Sequence, residues 1–188
     1  MLTSDLKEKY HPLKIEVIDS NVSMHFLKTK MQYFEDSLKI SRDHMLFVII
    51  SWRYIENGLI MHLTNLDDER SSQSFHSARK DLERINSDPT KLKKLKTKIK
   101  VFRQEIRFLK NDHRNIRIAH INHRKIEDIP EMYDFIELSK LNSLVKMANE
   151  IGDMLWGQEI KALFKMGSIY TEGYLDFRTG QRIYVKSD

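Results

Sequence analysis

The chain contains no cysteine, and its 188 residues include only 3 prolines and 6 glycines. Without thiols there is no disulfide framework, no thiolate zinc site and no cysteine nucleophile, which suits a reducing compartment. No apolar run is long. The longest, Met45 to Trp52, is closed by Arg53 and is far too short to span a bilayer. The start, Met1-Leu2-Thr3-Ser4-Asp5, has neither the basic region nor the apolar stretch of a secretory leader. A soluble cytoplasmic protein with no membrane partner is therefore expected. The length fits one domain, or one domain with an appendage, and is enough to bury a core.

What is abundant is charge, at 31% of residues, together with Lys, Leu, Ile and Glu, a composition that favours helices. The net charge of +5 is unevenly spread. Between Lys91 and Lys125 stand 13 Lys/Arg against Glu105 and Asp112, a segment of +11 that leaves −6 for the rest. Such concentration is the footprint of a phosphate-binding face, although a lysine-rich solvated helix has the same composition.

Apolar spacing and cap residues divide the chain into helices. A short helix over Ser4 to Tyr10 is broken at His11-Pro12. Asp19-Ser20-Asn21 can cap a helix from about Val22 to Ile40, with Met24, Leu27, Met31, Phe34 and Leu38 near helical spacing. Ser41-Arg42-Asp43 interrupts or caps, and a strongly apolar helix follows over His44 to Leu66. Asp67-Asp68-Glu69 reads as an acidic loop and Ser71 to Ile85 as a shorter helix. Asp88 caps the next helix, with Pro89 at its favoured first position. There Leu92, Leu95, Ile99, Phe102, Ile106 and Leu109 form a heptad seam that, continued, lands on His113, Ile116 and His120. A last helix is expected from about Glu131 to Leu155. Aromatic and β-branched residues around Arg178-Thr179-Gly180-Gln181 predict a small hairpin, which must dock on something to persist. The expected architecture is an all-α helical bundle of four to six helices over residues 1–165, with a C-terminal hairpin or tail over 166–188.

The densest chemistry lies in Asn111-Asp112-His113-Arg114-Asn115-Ile116-Arg117-Ile118-Ala119-His120. Arginine is a permanent cation whose planar donors fit phosphate, and histidine exchanges protons near neutral pH. Together on a basic surface they can bind RNA and cleave it without a metal. On a regular helix His113, Arg117 and His120 lie within about 40–60° of one another, while Arg114 is about 120° from His120. Arg114 and His120 of one chain are thus awkward partners. Two copies meeting across a two-fold axis, or a local break at Asn111-Asp112, would bring such groups together. A histidine on an apolar seam can equally be a core or interface residue.

The pattern Arg114-Asn115-x-Arg117-x-Ala119-His120 resembles the signature of the HEPN superfamily, in which an arginine, usually followed by a polar residue, precedes a histidine by four to six residues. The basic helix leading into it resembles most the abortive-infection (AbiU-type) branch of bacterial phage-defence and toxin–antitoxin loci. The likeness extends to the order of helices over about residues 20–155, and only the motif region is specific. Asn122 departs from that branch, where an acidic residue often stands two places after the histidine.

The resemblance implies a HEPN-like bundle that dimerises so that two motifs face each other in a basic cleft. It also implies a metal-independent endoribonuclease leaving 2′,3′-cyclic phosphate ends. His120 would be general acid or base, Arg114 would stabilise charge on the scissile phosphate, and Asn115 would orient one or the other by hydrogen bonding. Arg117, His113, Arg107, Lys110, Arg124 and Lys125 are the candidate RNA contacts. No cofactor is expected. The expected partners are RNA, a second copy and an antitoxin, either a small nucleotidyltransferase or another neutralising protein.

Other groupings compete for attention. His113, His120 and His123 with Glu127 could suggest a metal site, but the His-Glu-x-x-His spacing is missing and no metal is expected. Trp52-Arg53-Tyr54 and the Met45–Ile50 run read as buried core. Two further functions stay open: a catalytically silent HEPN-type RNA-binding or dimerisation module, and a helical protein-interaction module using the Leu92–Leu109 seam.

Overall fold

Serine and aspartate at the heads of apolar segments set the helix starts. Ser41 accepts a hydrogen bond from the His44 amide (3.3 Å) and opens α3 (Arg42–Leu66). Ser74 and Ser77 form a reciprocal capping box on α4 (Phe75–Arg84). Asp88 accepts from the amides of Thr90 (2.9 Å) and Lys91 (3.4 Å), with Pro89 leading α5 (Pro89–Glu105). The computed structural model describes residues 2–36, 41–85, 88–119, 136–166 and 173–184, with side chains described at all of these except 30–36, 115–119 and 166. Among them are also α1 (Ser4–Lys9), α2 (His11–Asp36), a π-helical segment (Leu109–Ala119) and α6 (Leu138–Trp156). The architecture is an all-α bundle with a small C-terminal sheet.

The core forms where the apolar faces converge. α2 packs on both α3 and α6, α5 packs on α4 and α6, and α3 also touches the π segment. Leu13, Val17 and Leu27 of α2 meet Leu59, Leu63 and Leu66 of α3 and Leu144, Ala148 and Leu155 of α6, all buried. The α5 seam is buried from Leu95 through Ile99, Phe102 and Ile106 to Leu109, with Phe102 edge-on to Phe75 of α4 (5.7 Å between ring centres). The seam is therefore spent inside the chain's own core.

Several element boundaries differ from the sequence reading. The expected break after the short first helix is present, since α1 closes at Lys9 with Tyr10 as its cap, and Pro12 sits in the first turn of the next helix, α2, where its missing N–H costs nothing. Asp19-Ser20-Asn21 does not cap, because α2 runs straight through it. The Ser20 hydroxyl donates back to the Glu16 carbonyl (2.8 Å), and the Asn21 amide donates to the Val17 carbonyl (2.8 Å). Asn21 also exchanges two hydrogen bonds with Asn149 of α6 (2.7 and 2.9 Å), so cap-prone residues here form a buried clasp between helices. α4 starts at Phe75 and not at Ser71, because Ser71 accepts from the Gln73 amide (3.0 Å) in a preceding turn. α6 starts at Leu138. Before it, the Ile136 amide donates to the Glu56 carboxylate (3.1 Å) and Glu137 holds an extended ψ of 120°. The expected helical residues 131–135 lie outside the described residues, as do Leu38, Asn86 and Ser87.

The Met45–Ile50 run is not core. Phe47 is 64% and Tyr54 75% exposed, and Leu46 and Ile50 are exposed with them. An unbroken apolar run covers every side of a helix, and only one side of α3 can face α2.

At the C-terminus the expected hairpin is present with one additional strand. β1 (Leu163–Met166), β2 (Gly173–Asp176) and β3 (Arg182–Tyr184) make an antiparallel sheet in that order, with β1 spanning residue 165. Gly180 takes a φ of 75° in the β2–β3 turn, a conformation glycine adopts without strain. The sheet is anchored by Arg178, whose guanidinium donates to both Asp153 carboxylate oxygens (3.0 and 2.9 Å) and to the Ile160 carbonyl (2.9 Å). Asp153 belongs to the last turn of α6, so the sheet docks on the bundle as a marginal hairpin must.

One ion pair in the bundle makes stability depend on pH. The Glu16 carboxylate lies 2.7 Å from the His62 ring, and that hydrogen bond raises the imidazole pKa above its ordinary 6.5. The stabilisation is then complete below about pH 6.5 and fades as pH rises through the folded value. Glu16→Gln is expected to lower the denaturation midpoint more at pH 6 than at pH 9, as urea titrations at the two pH values will show.

Candidate functional site

The basic face begins with the geometry of α5. Burial of Leu95, Ile99 and Phe102 turns Lys91, Lys93, Lys94, Lys96, Lys98 and Lys100 outward, and all six are exposed. Some cations are already engaged. Lys98 pairs with Glu150 of α6, Arg103 with Glu69, and Lys91 with its own cap Asp88 (3.7 Å). Lys93, Lys94, Lys96, Lys100 and Arg107 make no ion pair among the described residues and are exposed. They form a run of free positive charge leading from α5 toward the motif.

Lys110 differs from the other candidate contacts. Its ammonium donates to the Asp67 carboxylate (2.6 Å) and to the Asp67 carbonyl (2.8 Å). Asp67 is completely buried at the C-terminal end of α3, and its other oxygen lies 2.5 Å from the His76 ring of α4. Arg103 approaches the same carboxylate at 3.9 Å. Lys110 is therefore an internal anchor that ties the start of the π segment to α3 and α4, and its charge is spent on Asp67. Sequence reasoning missed Asp67 and His76. The available signal was the acidic loop Asp67-Asp68-Glu69 in a chain whose other half carries the positive charge.

Beyond α5 the helix changes pitch. Ile106 closes α5, and from Leu109 to Ala119 the chain follows i→i+5 bonding, a form that is rare in long stretches and recurs at functional sites. Asn111 and Asp112, poor residues for an α-helix interior, lie in its first turn. The wider turn ends the heptad register at Leu109, so the seam does not fix the direction of His113. Leu109 is buried, Asn111 and Asp112 are exposed, and His113 and Arg114 are both half-buried. His113 sets its ring edge-on to Phe108 (6.2 Å, 88°), an aromatic contact within the same stretch.

The remaining motif residues divide by what is described. Asn115 and Arg117 have their backbone in the π segment, while their side chains lie outside the described set. His120, His123, Arg124, Lys125 and Glu127 lie outside the described residues. Among the described residues no group of three His, Asp or Glu side chains has the arrangement of a metal site. Nor is any described helix long and apolar enough to cross a membrane. No family model, curated protein or solved structure matches the chain.

Proposed function

We propose that this protein is a metal-independent endoribonuclease of the HEPN type, acting in the cytoplasm as a toxin or phage-defence component. The observation that carries the proposal is the Arg114-Asn115 pair and His120 at the end of a +11 segment. Its lysines on α5 are in part free of internal partners.

In this reading His120 takes the proton from a ribose 2′-OH or delivers one to the leaving 5′-oxygen. The 2′-oxygen bonds to phosphorus as the bond to the 5′-oxygen breaks, giving a 2′,3′-cyclic phosphate and a 5′-hydroxyl. Arg114 stabilises the charge that builds on the phosphate, and Asn115 holds the arginine or the phosphate by hydrogen bonding. Arg107, His113, Arg117, Arg124 and Lys125 hold neighbouring phosphates. Lys110, committed to Asp67, is left out of that group.

The proposed active form is a homodimer in which two motifs face one basic cleft. Leu46, Phe47, Ile50 and Tyr54 on α3 support association, because large exposed apolar patches mark interaction surfaces. An antitoxin, either a nucleotidyltransferase or another neutralising protein, would hold the activity in check. Burial of the seam from Leu95 to Leu109 weighs against the alternative of a coiled-coil interaction module.

The test pairs binding with turnover on a single-stranded RNA. Binding is expected to weaken steeply with salt, and Arg107→Ala to lower the slope of log affinity against log salt by about 0.7. Lys110→Met is expected to leave that slope unchanged. Tight, salt-sensitive binding without strand scission would move the reading to a silent RNA-binding module. A monomer by light scattering would overturn the composite site.

A further inference from the structure

A cavity of about 640 Å³ opens between the end of α5, the start of the π segment and α6. We propose that it is a nucleobase-binding subsite that seats a base of the RNA beside the scissile phosphate, an inference that rests on the ribonuclease reading above. The volume falls within the range of small-molecule sites.

Its inner wall is apolar and partly aromatic. Phe108 offers a ring, with Leu144 and Met147 of α6 beside it. A flat π-system is the ligand shape such a wall favours, and stacking on an aromatic tolerates every base. The polar part of the lining comes from Asn111 and Ser143, which between them offer N–H and O–H donors and oxygen acceptors for a base edge. Neither side chain makes a hydrogen bond to another described residue. Arg107 lines the opening with its guanidinium free, and Lys140 of α6, paired with Glu137 at 3.7 Å, lines it as well, so a phosphate attached to the base meets cations from two elements. Glu105, also on the rim, opposes any purely anionic occupant and favours a ligand whose uncharged base takes the interior. Position links the cavity to the motif. Asn111 lies in the first turn of the π segment, three residues ahead of Arg114, so the cavity and the arginine share one short element.

The experiment is titration of the purified full chain with the four nucleoside 5′-monophosphates, with ribose 5-phosphate as the control lacking a base, followed by NMR shifts. Mononucleotides are expected to bind and ribose 5-phosphate to bind far more weakly. Phe108→Ala is expected to cost about 5- to 150-fold in affinity, the worth of one base stack. Phe108 also packs against the core, so Ser143→Trp, which fills the cavity from an exposed position, is the second variant; it is expected to abolish mononucleotide binding. Equal binding of ribose 5-phosphate, or unchanged binding in Ser143→Trp, overturns the subsite. The outcomes separate from those of the ribonuclease reading. Mononucleotide binding lost in Ser143→Trp supports the subsite even if RNA stays intact. RNA cleavage without any mononucleotide binding removes the subsite and leaves the nuclease.

Discussion

Replacing Asp67 with alanine is expected to destabilise the fold by about 3–5 kcal/mol, the cost of removing one member of a buried charged cluster. The carboxylate is completely buried and holds Lys110 at 2.6 Å and the His76 ring at 2.5 Å. Without it the Lys110 ammonium keeps only the backbone carbonyl of residue 67, and the imidazole loses its partner in a water-poor site. Chemical denaturation of the two proteins measures the loss. Asp67→Asn keeps the shape and one acceptor oxygen and is expected to lose less than the alanine variant. A loss under about 1 kcal/mol for the alanine variant would mean that the cluster is well hydrated and does not anchor the π segment.

The second large effect is on turnover. His120→Ala is expected to reduce RNA cleavage by about 10²–10⁴-fold, the usual contribution of a positioned general acid or base. Arg114→Ala is expected to cost about 10²–10³-fold, comparable with losing one donor to a developing oxyanion. Both variants are expected to bind RNA nearly as well as the wild type, since Lys93, Lys94, Lys96, Lys100 and Arg107 still supply the attraction. Single-turnover rates at saturating protein separate the two effects, and the double variant is expected to be little worse than the slower single one.

Much of the fold was legible because it is locally encoded. Ser41 and Asp88 announce α3 and α5 by chemistry that acts within three residues, and the buried seam of α5 follows from its spacing alone. What was not legible depends on distant partners. Asn21 looks like a cap until Asn149, 128 positions away, is seen to claim it. The exposure of Phe47 and Tyr54 depends on which side of α3 meets α2, and an apolar run carries no mark for that. β1 has only four residues, Leu163 to Met166, too few for a pattern before its pairing with β2 is known.

The candidate site divides in the same way. Residue chemistry singled out Arg114 and His120, the HEPN resemblance added Asn115, and the charge count singled out the basic face. The commitment of Lys110 could not be read, since a lysine that binds phosphate and one that fills a buried ion pair look alike in sequence. The pitch change at Leu109 was hinted at by Asn111-Asp112, whose side chains compete with the helix backbone, while its i→i+5 form was not. That change matters for the motif, because a histidine projected from a heptad no longer has a fixed direction once the heptad ends.

The most direct test of the central claim is incubation of purified protein with total RNA in EDTA, beside the Arg114→Ala and His120→Ala variants, with the chemistry of the new ends determined. The account predicts fragments bearing 2′,3′-cyclic phosphate from the wild type and nearly intact RNA from both variants. Intact RNA with the wild type, or equal cleavage by all three proteins, would contradict it.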